Sequence, residues 1–276
     1  MMPKKVKILF LCPSLQGGGA ERFMSTLVNH LDTEKFDITL AIVDNKEQFY
    51  QIDTTRVRLI DLKTPYIKHA FPKVFRLLWH EKPDIVFSNM TKLNVFISVF
   101  RPFFPSKTRF IARETIVLSI DVKYSFPKQA KFIKGLIRRF YGRFDKIVCQ
   151  SEDMKNDLVS HFAQDVTKTI VINNPIDVVS IQKQIAKVGK ESQQVPRLVS
   201  VGRLAPQKGF DRLLQAVSQL PIDFRFDIIG EGAEHERLIE LVQKLGITEK
   251  VRFLGQLQNP FYIAGSNDGE RVLELT

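Results

Sequence analysis

Short apolar runs rich in Val, Ile and Phe alternate along this chain with longer segments of helical spacing. Val6 to Cys12, Ile38 to Val43, Asp84 to Ser88, Arg109 to Ala112, Lys146 to Gln150 and Thr169 to Ile172 predict strands. Glu21 to Leu31, Val74 to His80, Lys128 to Tyr141 and Met154 to Phe162 predict the helices between them. The strands are apolar on both faces, as expected of a parallel sheet covered by helices on each side. The alternation restarts with strand Arg197 to Val201, helix Gly209 to Leu220, strand Phe226 to Ile229, helix Glu234 to Leu245 and strand Val251 to Leu254. Asn173, Asn174 and Pro175 end a strand, and Lys183 to Gln194 is polar, so two α/β domains are expected, 1–172 and 173–276.

Composition narrows the class. A chain of 276 residues, 44% hydrophobic and 26% charged, is long enough for two cores. It has no uncharged apolar run of the ~18 residues that a membrane-spanning helix needs. Lys4, Lys5 and Lys7 precede a short apolar run that ends at Pro13 with no small-residue cleavage pattern, which predicts a buried first strand and not a signal peptide. Cys12 and Cys149 each close an apolar run, so two buried thiols in a reducing cytoplasm are expected. Forty-one basic against 30 acidic residues give a net charge of +11, a balance that favours phosphates, polyanions or anionic membrane surfaces.

The candidate chemistry lies where strands end. After the first strand come Gly17, Gly18 and Gly19, opening a helix at Glu21. Glycines let a backbone approach an anion, and a helix start offers free amides and the positive end of its dipole. A dinucleotide fingerprint would need a third glycine where Arg22 stands, so the pattern speaks against a nicotinamide cofactor and leaves a plain glycine turn as the alternative. After the first strand of the second half runs Gly202, Arg203, Leu204, Ala205, Pro206, Gln207, Lys208, Gly209. An Arg and a Lys five residues apart on such a loop can converge on one diphosphate, or can simply be two solvated cations. Gln207 stands where a Walker A loop has its second glycine. Gly230, Glu231 and Gly232 follow the next strand and allow a tight strand-to-helix turn.

Taken together and in this order, the segments GGGAER, GRLAPQKGFD, IGEG and VRFLG resemble the family 4 glycosyltransferases of the GT-B fold, from about Lys5 to Phe261. The resemblance implies two Rossmann-like domains facing a cleft. It implies Arg203 and Lys208 on the diphosphate of a nucleotide-sugar donor, with UDP the expected carrier. Gly202, Gly230, Glu231, Gly232 and the strand Val251 to Gly255 would hold the nucleotide, and Gly17, Gly18 and Gly19 would line the cleft. The reaction would be sugar transfer with retention, needing no metal and no cofactor, to a glycan or polyprenyl-linked acceptor.

Two departures stand out. The family often presents a His on the acceptor side, whereas the strand ends here read Ser88, Asn89, Met90 and Arg113, Glu114, Thr115, and all five histidines fall in helical segments. Asn89, Arg113 and Glu114 are therefore the candidate acceptor-side residues, and no catalytic residue is identified. The family also carries two glutamates eight positions apart beyond Asn259, Pro260 and Phe261, where this chain has Glu270 and Glu274. A truncated second domain is expected, with a non-catalytic remnant or a basic partner-binding fragment as the alternative function.

Finally, Lys123, Lys128, Lys131, Lys134, Arg138, Arg139, Arg143 and Lys146 interleave with Phe126, Phe132, Ile133, Leu136, Ile137, Phe140 and Tyr141. A basic amphipathic helix of this kind can lie on the cytoplasmic face of an anionic membrane, or can be a solvated face over a buried apolar stripe. No nucleic-acid motif accompanies the charge, so nucleic acid is not an expected partner.

Overall fold

The computed structural model describes residues 4–257 apart from 47, 65 and 186–194. The expected departure after Phe261, with Glu270 and Glu274, and most of the linker Lys183 to Gln194 lie outside the described residues. The chain divides into two compact units, Met1–Ile176 and Asp177–Thr276.

The first unit is a seven-stranded sheet in which every neighbouring pair is parallel. Its elements are β1 (Val6–Cys12), α1 (Gly19–His30), β2 (Phe36–Ile42), β3 (Arg58–Asp61), α2 (Ile67–Glu81), β4 (Ile85–Asn89), α3 (Thr91–Phe100), β5 (Arg109–Arg113), α4 (Leu118–Ser125), α5 (Ala130–Phe140), β6 (Lys146–Cys149), α6 (Glu152–Phe162) and β7 (Thr169–Val171). The strand order is β3-β2-β1-β4-β5-β6-β7. Alternate residues of one strand serve two cores, which is why the strands read as continuous apolar runs. Ile8, Phe10 and Cys12 of β1 join Ile38, Leu40 and Ile42 of β2 under Met24 and Val28 of α1. Leu9 and Leu11 face the other way, into a larger core with Val74, Phe96, Ile137 and Leu158 of α2, α3, α5 and α6.

Local chemistry explains several boundaries. Ser151 caps α6 by accepting from the Met154 amide at 3.3 Å, with Glu152 and Asp153 in the first turn, where the helix dipole favours negative charge. Four elements carry no period that predicts them. β3 is a short, partly exposed edge strand, and α3 is buried on nearly every side, so its sequence has no polar stripe. The remaining two are α4 and α7 (Val178–Ile185), which runs into the expected linker. Helix α2 begins at Ile67, earlier than Val74, and runs through Pro72 because Ala70 and Phe71 pack into the larger core.

The second unit holds β8 (Arg197–Val201), α8 (Phe210–Val217), β9 (Arg225–Ile229), α9 (His235–Lys244) and β10 (Val251–Phe253). Its described sheet has three parallel strands in the order β10-β9-β8, packed by Leu214, Val217, Leu238 and Val242 of the two helices. Asp227, fully buried on the central strand, accepts from Arg197 Nε at 2.6 Å and from Arg252 Nε and Nη2 at 2.7 and 2.9 Å. One carboxylate thus ties all three strands together.

Breaking a buried ion pair such as that of Asp227 with Arg197 costs about 3–5 kcal/mol, with the more exposed Arg252 adding less. Asp227→Ala is therefore expected to weaken the second unit by that order, with faster hydrogen exchange concentrated over residues 197–254. Exchange unchanged there would show the triad to be dispensable.

Candidate functional site

In the first unit β1 pairs with β2 on one side and β4 on the other, and the chain leaves β1 and β4 toward opposite faces of the sheet. That divergence makes the carboxyl ends of β1 and β4 the topological switch point, the usual ligand position in open α/β sheets. The loop after β1 places Gly17, Gly18 and Gly19 there. Gly18 is the N-cap of α1, and the Glu21 carboxylate folds back over it into the space that a Cβ would occupy. Gly19, by contrast, faces open space.

Asn89, at the end of β4, donates from Nδ2 to the Ala20 carbonyl at 3.3 Å and accepts from Arg113 Nη1 at 2.9 Å. Arg113 also donates from Nη2 to Asn174 Oδ1 at 2.7 Å, and its guanidinium stacks 3.6 Å from the Phe23 ring centroid. The first turn of α1, the ends of β4 and β5 and the segment after β7 are thereby joined through one buried cation. Its two hydrogen-bond acceptors are neutral amides and its Nε is buried without a hydrogen-bond partner. Burial lowers its pKa to about 10.

Glu114 is placed differently. It has no exposed surface, and its carboxyl group turns beneath α3, accepting from Asn94 Nδ2 at 2.7 Å and Tyr141 Oη at 3.0 Å. Met90, with φ of 79°, makes the sharp turn from β4 into α3 that brings Thr91 and Asn94 to it. Phe23, Thr91, Asn94, Asp121, Tyr141 and Asn174 were not among the sequence candidates. Of these, Asn174 carried a sequence signal as a strand terminator and Tyr141 as an apolar member of the basic segment. The two thiols are buried as expected, and burial pushes both up to about 12.

In the second unit the loops after β8 and β9 lie against each other. Gly202 donates to the Ile229 carbonyl at 2.9 Å, Leu204 to the Glu231 carbonyl at 2.9 Å, and Glu234 to the Leu204 carbonyl at 3.1 Å. Gly230, at φ of 144°, donates to the Gly255 carbonyl at 2.8 Å. A Cβ on Gly230 would lie 2.8 Å from the Gly202 carbonyl carbon, and one on Gly232 would lie 2.7 Å from that of Leu204. Only glycine fits both places. Leu204, fully buried, pins the first loop into the core between exposed Arg203 and a short 3₁₀ turn, Pro206–Lys208. Lys208 ends that turn half-buried, and Gly209, at φ of 67°, starts α8. Glu231 is exposed, its Oε1 3.4 Å from the Gln256 amide.

A separate basic concavity of about 520 Å³ lies at the amino ends of β1 and β2, lined by Lys4, Lys5, Lys7 and Arg56. Among its lining residues only Ile38 is buried, so no held polar group would fix a ligand there. Among the described residues no group of three or more His, Cys, Asp or Glu side chains is placed to hold a metal ion.

Two parallel α/β units, each with glycine loops at the carboxyl edge of its sheet, define a Rossmann-like protein of the GT-B class. The family model described as Glycosyltransferase Family 4 matches residues 17–179, and the one described as Glycosyl transferases group 1 matches residues 181–265. The chain belongs to glycosyltransferase family 4 and is a glycosyltransferase by descent. A Campylobacter jejuni relative, the N-acetylgalactosamine-N,N'-diacetylbacillosaminyl-diphospho-undecaprenol 4-alpha-N-acetylgalactosaminyltransferase, is 29% identical over 90% of this chain and 69% of its own length. The amylovoran biosynthesis glycosyltransferase AmsD of Erwinia amylovora is 26% identical over 90% of this chain and 68% of its own. Among solved structures, Anabaena HepE in complex with UDP-glucose superposes with a TM-score of 0.69 at 19% identity, covering 94% of this chain and 71% of that one.

The glycine geometry makes a contrast that can be measured. Gly230→Ala and Gly232→Ala are each expected to lower stability by roughly 1–3 kcal/mol, because a Cβ must push two backbones apart. Gly19→Ala meets nothing and should change it by less than about 0.5 kcal/mol. Chemical denaturation of the three variants checks this, and equal losses in all three would contradict it.

Proposed function

We propose that this protein transfers a sugar from a UDP-linked donor to a hydroxyl of a glycan or polyprenyl-diphosphate-linked acceptor, in the assembly of cell-surface polysaccharide, lipopolysaccharide or glycoprotein glycans. The observation that carries the reading is the pair of loops in the second unit, interlocked through Gly230 and Gly232, which hold Arg203 exposed and Lys208 half-buried on one strand-to-helix turn. The names of the Campylobacter and Erwinia relatives support the acceptor class, and the ligand in HepE supports the donor.

In this reading Arg203 grips the donor diphosphate bidentately while Lys208 adds a compact charge. Both neutralise the charge that grows on the leaving diphosphate as the glycosidic bond breaks, with retention at the anomeric carbon and no metal required. Gly230, Glu231 and Gly232 border the nucleotide. Gly17, Gly18, Gly19 and Asn89 face the acceptor side, with the buried Arg113 charge behind them.

The basic segment supports work at a cytoplasmic membrane surface, in a form different from the single helix expected. Its cations are spread over α4, the turn that follows it, α5, a 3₁₀ turn and β6. Arg143 is drawn inward, donating to the Val99 carbonyl at 2.8 Å, and Lys146 donates to the Thr167 carbonyl at 2.9 Å. Ile133, Ile137 and Tyr141 are buried, while Tyr124 and Phe132 stand outward, 74% and 65% exposed, among exposed Lys123, Lys128 and Lys131. Exposed aromatic rings among lysines suit an anionic lipid interface. Among the described residues no helix is long and apolar enough to cross a membrane.

Calorimetry with UDP tests the donor site. Arg203→Ala and Lys208→Ala are each expected to weaken binding by about 1.5–3 kcal/mol, at least tenfold in Kd, and unchanged affinity in both would remove the assignment. For the membrane, the protein should co-sediment with anionic vesicles at low salt and be released near ~0.5 M salt, where charges are screened over less than about 5 Å. No binding at low salt would leave these cations as a solvated face.

A further inference from the structure

Between the end of β5 and α4, one hydroxyl lies within hydrogen-bond distance of two carboxyl groups. Thr91 Oγ1 is 2.9 Å from Glu114 Oε2 and 2.5 Å from Asp121 Oδ2. A hydroxyl has one hydrogen, so it donates to one of these oxygens and must accept from the other. If both carboxyl groups were ionised, one of the two contacts would hold no proton. The surroundings decide where the extra proton sits. Glu114 is fully buried and already accepts two hydrogen bonds at Oε1, which leaves Oε2 to carry it. Asp121 is only half-buried, and its Oδ1 accepts from Ser125 Oγ at 2.5 Å. Burial penalises the charged form, so the ionised partner is the more exposed one.

We propose that Glu114 is a positioning residue kept as a neutral carboxylic acid, its proton donated to Thr91 while Thr91 donates to the Asp121 carboxylate, so that α3 and α4 are clamped to β5 beside Arg113. The groups facing it fit this state. Arg113 on β5 gives its hydrogen bonds to Asn89 and Asn174 and not to Glu114. Tyr141, after α5, donates its hydroxyl and is held neutral by burial, and Cys149 on β6 is a buried thiol. Asn94 on α3 donates one amide hydrogen bond to Glu114 Oε1 and one to the Arg113 carbonyl at 3.0 Å, while accepting from Ser88 Oγ at 2.5 Å. Removing the proton would leave two carboxylates against one hydroxyl and push α4 away from the sheet. The proposal does not depend on the donor-site reading.

The pH dependence has a definite sign. Burial, with Asp121 adding to it against the opposing hydrogen bonds, raises the Glu114 pKa from 4.5 to about 7. The folded chain then holds this proton more tightly than the unfolded chain. The associated stability is complete below the lower value, falls as pH rises toward the upper one, and changes no further above it.

Glu114→Gln reproduces the neutral acid: its oxygen accepts from Asn94 and Tyr141 and its amide donates to Thr91. Denaturation midpoints measured between about pH 5 and about pH 8 should fall for the wild type and lose that decline in Glu114→Gln. Glu114→Ala should be destabilised throughout. Asp121→Asn can donate to Thr91, freeing the hydroxyl to donate to an ionised Glu114, so its decline should move to lower pH. Infrared difference spectra across the same range should show a protonated-carboxyl band lost in the wild type and absent from Glu114→Gln. A Glu114→Gln protein as unstable as Glu114→Ala, a decline untouched by either conservative variant, or no protonated-carboxyl band would overturn the proposal.

Discussion

Parallel pairing is the constraint from which the rest of this structure follows. Two parallel strands cannot be closed by a hairpin, so the chain crosses back over a face of the sheet between each pair, and helices come to cover both faces. Every crossover starts from a carboxyl end, which collects Gly17 to Gly19, Asn89 and Arg113 along one edge of the first sheet, and Arg203, Lys208 and Glu231 along one edge of the second. Residues far apart in sequence, such as Asn89, Arg113 and Asn174, become hydrogen-bonded neighbours only because their strand ends share that edge.

The two edges solve the problem of buried polarity differently. In the second unit the main chain does the work: loop amides and carbonyls continue the ladder past the strand ends, and glycines bring the backbones too close for any side chain. Arg203 and Glu231 stay at the surface. In the first unit side chains do it, through a continuous set of hydrogen bonds from Ser88 through Asn94 and Glu114 to Thr91 and Asp121. A buried network of this kind is worth having only when every member is satisfied. That requirement places a proton on the carboxyl group farthest from water.

Charge on the first unit divides the same way between structure and surface. Arg143, drawn from a run that looks uniformly solvated, satisfies carbonyls at the end of α3, and Lys134 lies over the Phe162 ring at 5.7 Å. Lys123, Lys128 and Lys131 remain outward beside exposed aromatic rings. The net excess of cations is thus only partly available to an outside partner.

The parallel α/β class, most strand positions, the five helical histidines and the glycine loops were legible in the residue pattern, because period, apolar runs and turn residues are local properties of the chain. So was the family, because its loops keep their order and spacing around residues that chemistry constrains. Elements whose surroundings are uniform were not legible: α3 has neighbours on nearly every side, and β3 is short and half-covered. Arg113, Glu114 and Asn89 could be picked out as polar residues at strand ends, but their states could not. Whether a carboxyl group meets water, a cation or a hydroxyl already bonded to a second carboxylate is set by which elements pack against it, and only the tertiary structure brings Thr91, Asp121 and Tyr141 to Glu114.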